Sequence, residues 1–209
     1  MRRFTAADFD NKTDFFDQMA ASSWFIQLQH EASRNLSGTN LLDAGCGTGR
    51  LAARLQQFEN RVGVDLSTEM VREASELHSK EAGLTFVTAD VEALPFPDYH
   101  FDAVISTCVL FLLPDPERAL AELYRVHTKG GELRLLNPSP AFSFARAEKD
   151  AHHLPAQERN GLLQWGRIAE RRHRFTELEL KHRLAAAGYR EAEVSLSTCG
   201  RATIAAAIK

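Results

Sequence analysis

The chain predicts an α/β fold built on a seven-stranded, mostly parallel sheet with helices on both faces. Three observations carry this. Between residues 41 and 136, short apolar runs alternate with helical runs; such alternation makes parallel strands covered on each side by helices. Glycines 45, 47 and 49 directly follow the first apolar run, where a tight strand-to-helix turn belongs. Two closing runs, 192–196 and 202–208, are joined by Cys199-Gly200 and read as paired strands, so the last strand runs antiparallel.

Each element has a local reason. Residues 8–34 read as helical, with Phe15, Phe16, Met19, Trp24, Phe25 and Leu28 among polar neighbours. Ser37-Gly38 breaks that pattern. Residues 41–43 form a buried strand, and 50–58 a helix with Leu51 and Leu55 one turn apart. Residues 62–65 are the second strand. Ser67 can cap the helix that follows, with Glu69 in its first turn. Residues 84–88 and 101–106 are two more strands. Asp115-Pro116 opens a helix with a capping acid and a first-turn proline, and its apolar face is Leu120, Leu123 and Val126. His127 at its end reads as a dipole partner. Gly130-Gly131 turns the chain into a strand over 132–136.

The alternation pauses over residues 138–174. Pro138, Pro140 and Pro155 lie there, with a helix expected around 157–172, and the segment reads as an insertion after the fifth strand. Thr176 and Glu179 then make a capping box, with Phe175 and Leu180 set for a hydrophobic staple. Gly188 occupies the place of a helix-ending glycine.

Composition bounds the function. At 209 residues the chain suits one domain, and 44 % hydrophobic residues supply a sizeable core. A net charge of −3 argues against a dedicated nucleic-acid or membrane-surface protein. Met1-Arg2-Arg3 is followed by polar residues rather than a leader-like apolar run, and no apolar stretch has the length of a membrane span. Cys46, Cys108 and Cys199 are far apart and make no CxxC or zinc spacing. Free thiols in a reducing cytoplasm are expected, with no metal site. The one dense basic cluster is Arg167, Arg171, Arg172, His173 and Arg174. It reads as a solvated helix end before it reads as a grip on an anionic substrate or on RNA phosphates, because no aromatic residues interleave with it.

The glycine turn carries the chemistry. Glycines let a backbone approach a ligand, and the helix that follows offers unpaired amides to it. Asp65 ends the second strand where a ribose-binding acid belongs in a nucleotide fold. It also stands where an acid would cap the helix after Ser67. Asp90 follows the third strand; it can face an adenine amino group or serve the turn. The order Gly45-Cys46-Gly47-Thr48-Gly49 brings the third glycine one residue early for the dinucleotide fingerprint. Arg50-Leu51 does not supply the Lys-Ser/Thr of a phosphate loop.

LLDAGCGTGR (residues 41–50) followed by VGVDLS (62–67) resembles the first two motifs of class I S-adenosylmethionine-dependent methyltransferases. TADVEALPFPDYHFDAVIS (88–106) is similar to the ubiquinone/menaquinone-biosynthesis type, the methyltransferase type 11 group. DPERALAELYRVHTKGGEL (115–133) continues the match in order. The resemblance covers residues 38–137 plus the terminal helix and strand pair. One departure is His127-Thr128-Lys129, where the family has Leu-Lys-Pro; a turn proline is lost.

That resemblance implies a Rossmann-like fold and S-adenosylmethionine as cofactor. It implies direct in-line transfer of methyl to a small-molecule acceptor, leaving S-adenosylhomocysteine. Residues 1–37 would be an N-terminal helical lid and 38–209 the methyltransferase domain, with 138–174 capping the substrate. Asp43 would anchor the loop near the methionine amino group. Gly45, Cys46 and Gly47 would meet the methionine portion, and Asp65 the ribose hydroxyls. Leu66 and Met70 would pack on the adenine, or serve as plain core, with Asp90 and Val91 at its other edge. Thr107, Cys108 and Leu112 would lie by the sulfonium.

Phe15, Phe16, Trp24 and Phe25 would face the acceptor or pack on the sheet. The run 109–113 would line an apolar pocket. A general base is needed only for a weakly acidic acceptor; His152 and His153, after Glu148, Lys149 and Asp150, are the candidates. They read first as a solvated loop, then as a base, and last as two ligands of a metal lacking a third. Two rivals stand beside this reading. One is a nicotinamide-dependent oxidoreductase, which the glycine spacing opposes. The other is a non-catalytic binder of the same cofactor, because the family needs no obligatory catalytic side chain.

Overall fold

The computed structural model describes residues 2–209. Seven strands form one sheet: β1 (Asn40–Ala44), β2 (Asn60–Asp65), β3 (Leu84–Thr88), β4 (Phe101–Thr107), β5 (His127–Pro138), β6 (Arg190–Leu196) and β7 (Ala202–Ile208). Their order is β3-β2-β1-β4-β5-β7-β6. The pairs from β3 to β5 are parallel, and β7 runs antiparallel to both β5 and β6. The predicted strand count and the single reversed strand both hold.

The period of two sets the faces. Leu41, Ala103 and Ile105 belong to a core with Leu51, Leu55 and Phe58 on one side. Leu42, Ala44 and Val104 face a larger core on the other. That second core holds Leu120, Leu123 and Val126, the predicted face of the helix α6 (Pro116–Val126). Leu42 is completely buried, so truncation to Ala would cost about 2–5 kcal/mol. Other helices that cover the sheet are α4 (Arg50–Arg54), α5 (Thr68–Leu77) and α9 (Glu177–Ala186), joined by the N-terminal helix over Ser23–Ser33, which packs on β5 and β7. Ser67 caps α5 through Met70 N at 3.1 Å, and Asp115 caps α6. The Thr176 box opens α9, its Glu179 carboxylate accepting from Thr176 N at 2.8 Å.

Five expectations change. The helix expected over 50–58 stops at Arg54, with Leu55 as its C-cap. The helix over 8–34 is three: α1 (Ala6–Asp10), α2 (Thr13–Ala21) and α3 (Ser23–Ser33). Ser22 breaks it, with an extended backbone and its hydroxyl donating to Met19 O; a serine competes with the helix for backbone partners. The insertion contains two helices, α7 (Phe144–Ala151) and α8 (Ala156–Glu170). The nearby prolines hid α7, which Ser143 caps.

The fifth strand begins at His127 rather than after the paired glycines. Gly130, at φ +79°, sits where the register slips between Phe101↔His127 and Ala103↔Glu132. His127 itself is no dipole partner. Burial, with the Lys209 charge adding to it, lowers its pKa to about 4 and leaves it neutral. The end of α6 carries Arg125 in its last turn and Lys209, whose Nζ donates to Tyr124 O at 2.6 Å.

No helix among the described residues is long and apolar enough to cross a membrane.

Candidate functional site

The carboxyl ends of β1, β2, β3 and β4 meet at one cavity with an empty volume of about 1110 Å³, including its open mouth. Ligands gather at this edge of parallel sheets. The glycine turn forms its floor. Gly45 and Cys46 both donate to Val64 O at 2.8 Å. Gly45, Gly47 and Gly49 all have positive φ. A side chain on Gly45 would run into Val109, and one on Gly49 into the Phe86 ring. A side chain on Gly47 would meet nothing within 4 Å. The first and third glycines are therefore required by packing, and the second by its conformation and by the open space above it.

Asp65 organises the turn. It accepts from Gly47 N at 2.9 Å and from Ser67 N at 3.0 Å. Burial pushes its pKa up, and the Ser67, Gly47 and Leu66 amides pull it back. One carboxylate thus both lines the cavity and stands at the start of α5. Asp90 is similar: it lines the cavity and also accepts from Glu92 N at 3.0 Å, shaping the turn.

Eleven of the twelve predicted cofactor contacts line the cavity. They are Gly45, Cys46 and Gly47 from the first turn, Asp65, Leu66 and Met70 from the second, and Asp90 and Val91 from the third. Thr107, Cys108 and Leu112 complete them after β4.

Asp43, the twelfth, does not line the cavity. It lies beneath the turn, 1 % exposed, and neither carboxylate oxygen has a hydrogen-bond partner. Burial raises its pKa to about 7, with Asp65 adding to it; the Arg54 charge offsets this only in part. A side chain on a central strand points into the sheet's packing layer, and its position before the glycines does not reveal that.

His152 and His153 are not brought to the cavity. Both stand exposed at the end of α7, and no group of three metal-ligating side chains exists among the described residues. The basic cluster is also not a free patch. Arg172 lies 3.8 Å over the Phe4 ring and donates to Arg2 O at 2.7 Å. Arg167 covers Phe144, and Arg174 donates to Pro140 O. Of the N-terminal aromatics, Phe16 and Phe25 line the cavity, while Trp24 is buried beside Trp165.

The sequence reading missed what the N-terminal segment brings. Phe4, Phe9 and Gln29 line the cavity. Three polar ties fasten this segment to the three cavity-lining turns. Asp17 accepts from Thr48 Oγ1 at 2.7 Å and from Arg50 Nε and Nη2 at 2.6 and 2.8 Å. Asp10 accepts from Ser67 Oγ. Arg3 pairs with Asp90 at 2.7 Å and with Glu92. Only Gln29 had a signal: a polar side chain on the buried side of a helix, 4 % exposed.

Comparison with known proteins matches this geometry. A family model described as a methyltransferase domain matches residues 42–135. The demethylmenaquinone methyltransferase of Thermobifida fusca is 32 % identical over 173 residues, covering 78 % of this chain and 68 % of that protein. The malonyl-[acyl-carrier protein] O-methyltransferase of Erwinia billingiae is 39 % identical over 108 residues, or 51 % of this chain. The match spans only 41 % of that relative's length. In fold, a SAM-dependent methyltransferase from Thermotoga maritima superposes with a TM-score of 0.70 at 22 % identity, covering 96 % of this chain and 97 % of that one.

Proposed function

The chain belongs to the class I S-adenosylmethionine-dependent methyltransferase family, in its ubiquinone/menaquinone-like group, and on that basis we propose that it methylates a small-molecule acceptor by direct in-line displacement. The observation that carries this is the convergence of Gly47, Asp65 and Asp90 on one cavity at the sheet's carboxyl edge. The nicotinamide reading is set aside by the family.

The cavity fits the cofactor. Gly47 leaves open space where a ligand backbone can lie. Asp65 offers about four lone-pair sites, of which the Gly47 and Ser67 amides take two. Bound there, S-adenosylmethionine supplies a methyl group already activated on a sulfonium. Asp65 would accept the ribose hydroxyls, with Leu66 and Met70 on one face of the adenine and Asp90 and Val91 at its edge. Thr107, Cys108 and Leu112 would border the reacting centre. Asp43 would act from below through its charge alone.

The protein's task is then alignment and exclusion of water; orientation alone can supply roughly 7–11 kcal/mol of a barrier. We read α1–α3 as the lid that closes the cavity, supported by the ties at Asp17, Asp10 and Arg3. Lids of this kind exclude water and complete a pocket.

Isothermal titration should show S-adenosylmethionine and S-adenosylhomocysteine binding in the micromolar range. In the same experiment Asp65→Ala should weaken both by about 1.5–3 kcal/mol, the loss expected for hydrogen bonds to a charged group. Folded protein that binds neither would sink the reading. Transfer of labelled methyl to a small molecule separates the enzyme from a non-catalytic binder.

A further inference from the structure

One side chain of the N-terminal segment reaches the third cavity-lining turn. Arg3 lines the cavity beside Asp90, from 87 positions earlier in the chain. Its Nη2 donates to Asp90 Oδ2 at 2.7 Å and to the Glu92 carboxylate. The two acids differ in exposure. The Asp90 side chain is 33 % exposed at the cavity, whereas that of Glu92 is 3 % exposed. Arg3 is the only cation paired with either among the described residues. Without it, two like charges close in the chain would repel each other, and Glu92 would be enclosed with no paired cation.

The residues on either side of Arg3 are themselves held. Arg2 pairs with Asp8, which also accepts from Thr5 N at 2.8 Å. Arg172, beyond the end of α8, donates to Arg2 O at 2.7 Å and lies 3.8 Å over the Phe4 ring. Phe4 in turn is wedged between the cofactor cavity and a smaller one of about 480 Å³, between the N-terminal helices and α8. Phe4, Phe9, Phe16, Met19, Cys108 and Leu112 line both. The reach of Arg3 to the turn is therefore set from both neighbours.

Arg3 completes the constraints on Asp90. Asp90 Oδ1 accepts from Glu92 N at 3.0 Å, and Oδ2 accepts from Arg3. A carboxylate has about four lone-pair sites. One bond to each oxygen fixes the plane of the group and leaves a site on each for a further donor.

Resting on the methyltransferase reading above, we propose that Arg3 is a positioning residue for base recognition: it holds the Asp90 carboxylate in the orientation that accepts from the exocyclic amino group of the cofactor's adenine. An acceptor-only group favours a base that carries a donor at this edge over one that does not. The advantage depends on orientation, because a hydrogen bond weakens steeply as it bends. Arg3 acts through Asp90, so its loss falls on the amino group and not on the rest of the cofactor.

The test titrates the full chain with S-adenosylhomocysteine and with its analogue carrying hydrogen in place of the adenine amino group. The wild type should prefer the amino compound by about tenfold or more, the scale of a hydrogen bond to a charged group. Asp90→Ala should abolish the preference. Arg3→Met keeps an apolar side chain and removes the charge; it should lower the preference to about threefold or less. Asp17→Asn loosens the same segment without touching Asp90, and its preference should stay within about twofold of the wild type's.

An Arg3→Met preference equal to the wild type's overturns the proposal. So does an Asp17→Asn preference that falls as far, since closure alone would then explain the loss. A wild type that binds both compounds alike overturns it at the Asp90 step. Loss of both compounds by Arg3→Met overturns it too, because the effect would not be confined to the amino group. Wild-type protein that binds neither compound overturns the methyltransferase reading itself, and this inference with it.

Discussion

Asp43 is a carboxyl group enclosed without a hydrogen-bond partner, and its pKa is raised to about 7. The sign of the consequence is fixed. The unfolded chain ionises this group near pH 4, whereas the folded protein keeps it protonated until about pH 7. The folded state therefore binds more protons across that window. Asp43's contribution to stability is full below about pH 4 and is lost as pH rises toward 7. Asp43→Asn should remove this decline, which urea titrations at pH 5 and pH 8 would read. A cationic cofactor favours the ionised carboxylate, so its affinity should rise between pH 6 and pH 8 in the wild type and stay flat in Asp43→Asn. Equal slopes in the two proteins would show that Asp43 does not sense the cofactor. The sequence revealed Asp65 and Gly47 because a strand, a tight turn and a helix start fix them within a few residues. It did not reveal the isolation of Asp43, which depends on what α4 places against the strand.

At the scale of elements, α3 is packed into the main core, whereas α1 and α2 are tied to the turns of the sheet edge by polar contacts. Asp17 grips Thr48 and Arg50 on the turn that carries Gly47. The Arg50 guanidinium holds the Asp17 carboxyl below its ordinary range. Partly exposed pairs of this sort contribute about 1 kcal/mol or less to stability, so Asp17→Asn should leave unfolding nearly unchanged. Its effect belongs to motion: cofactor release in stopped flow should quicken by about fivefold, roughly 1 kcal/mol of lost closure. High salt should produce a similar change in the wild type and little in the variant. A release rate insensitive to both would remove the tie from any closing role. These helices were only partly legible beforehand. Their apolar residues are present, but the break at Ser22 lacks the glycine or proline that marks most interruptions. Phe4 and Phe9 reach the cavity from positions with no fixed spacing to the glycine turn. The second helix of the insertion was legible from its length, while α7, eight residues beside prolines, was not.

For the whole molecule, the sheet was the most legible part. Strand–helix alternation and a closing strand pair determine its layers and its reversed edge, because chain reversal and handedness leave few alternatives. The N-terminal side of the two cavities was least legible, since three separate segments build it: residues 4–29, the stretch after β4, and α8. Ligand binding should be felt globally. At one hundred times its dissociation constant, S-adenosylhomocysteine should add about 2.7 kcal/mol to unfolding. In a chain of this size that raises the melting temperature by about 5–10 °C, measurable by calorimetry. No shift at saturating ligand would mean that the folded and unfolded chains bind it alike.

One short segment carries both Phe4, Phe9 and Phe16 in the wall between the two cavities and Arg3, Asp10 and Asp17 fastened to the cofactor-side turns. On the lid reading proposed above, whatever settles that wall would also settle the cover over the donor. Linkage then makes the effect mutual: an acceptor that tightens the donor's hold by some factor has its own hold tightened by the same factor. The two substrates would bind as a synergistic pair, and the loss of either would loosen the other.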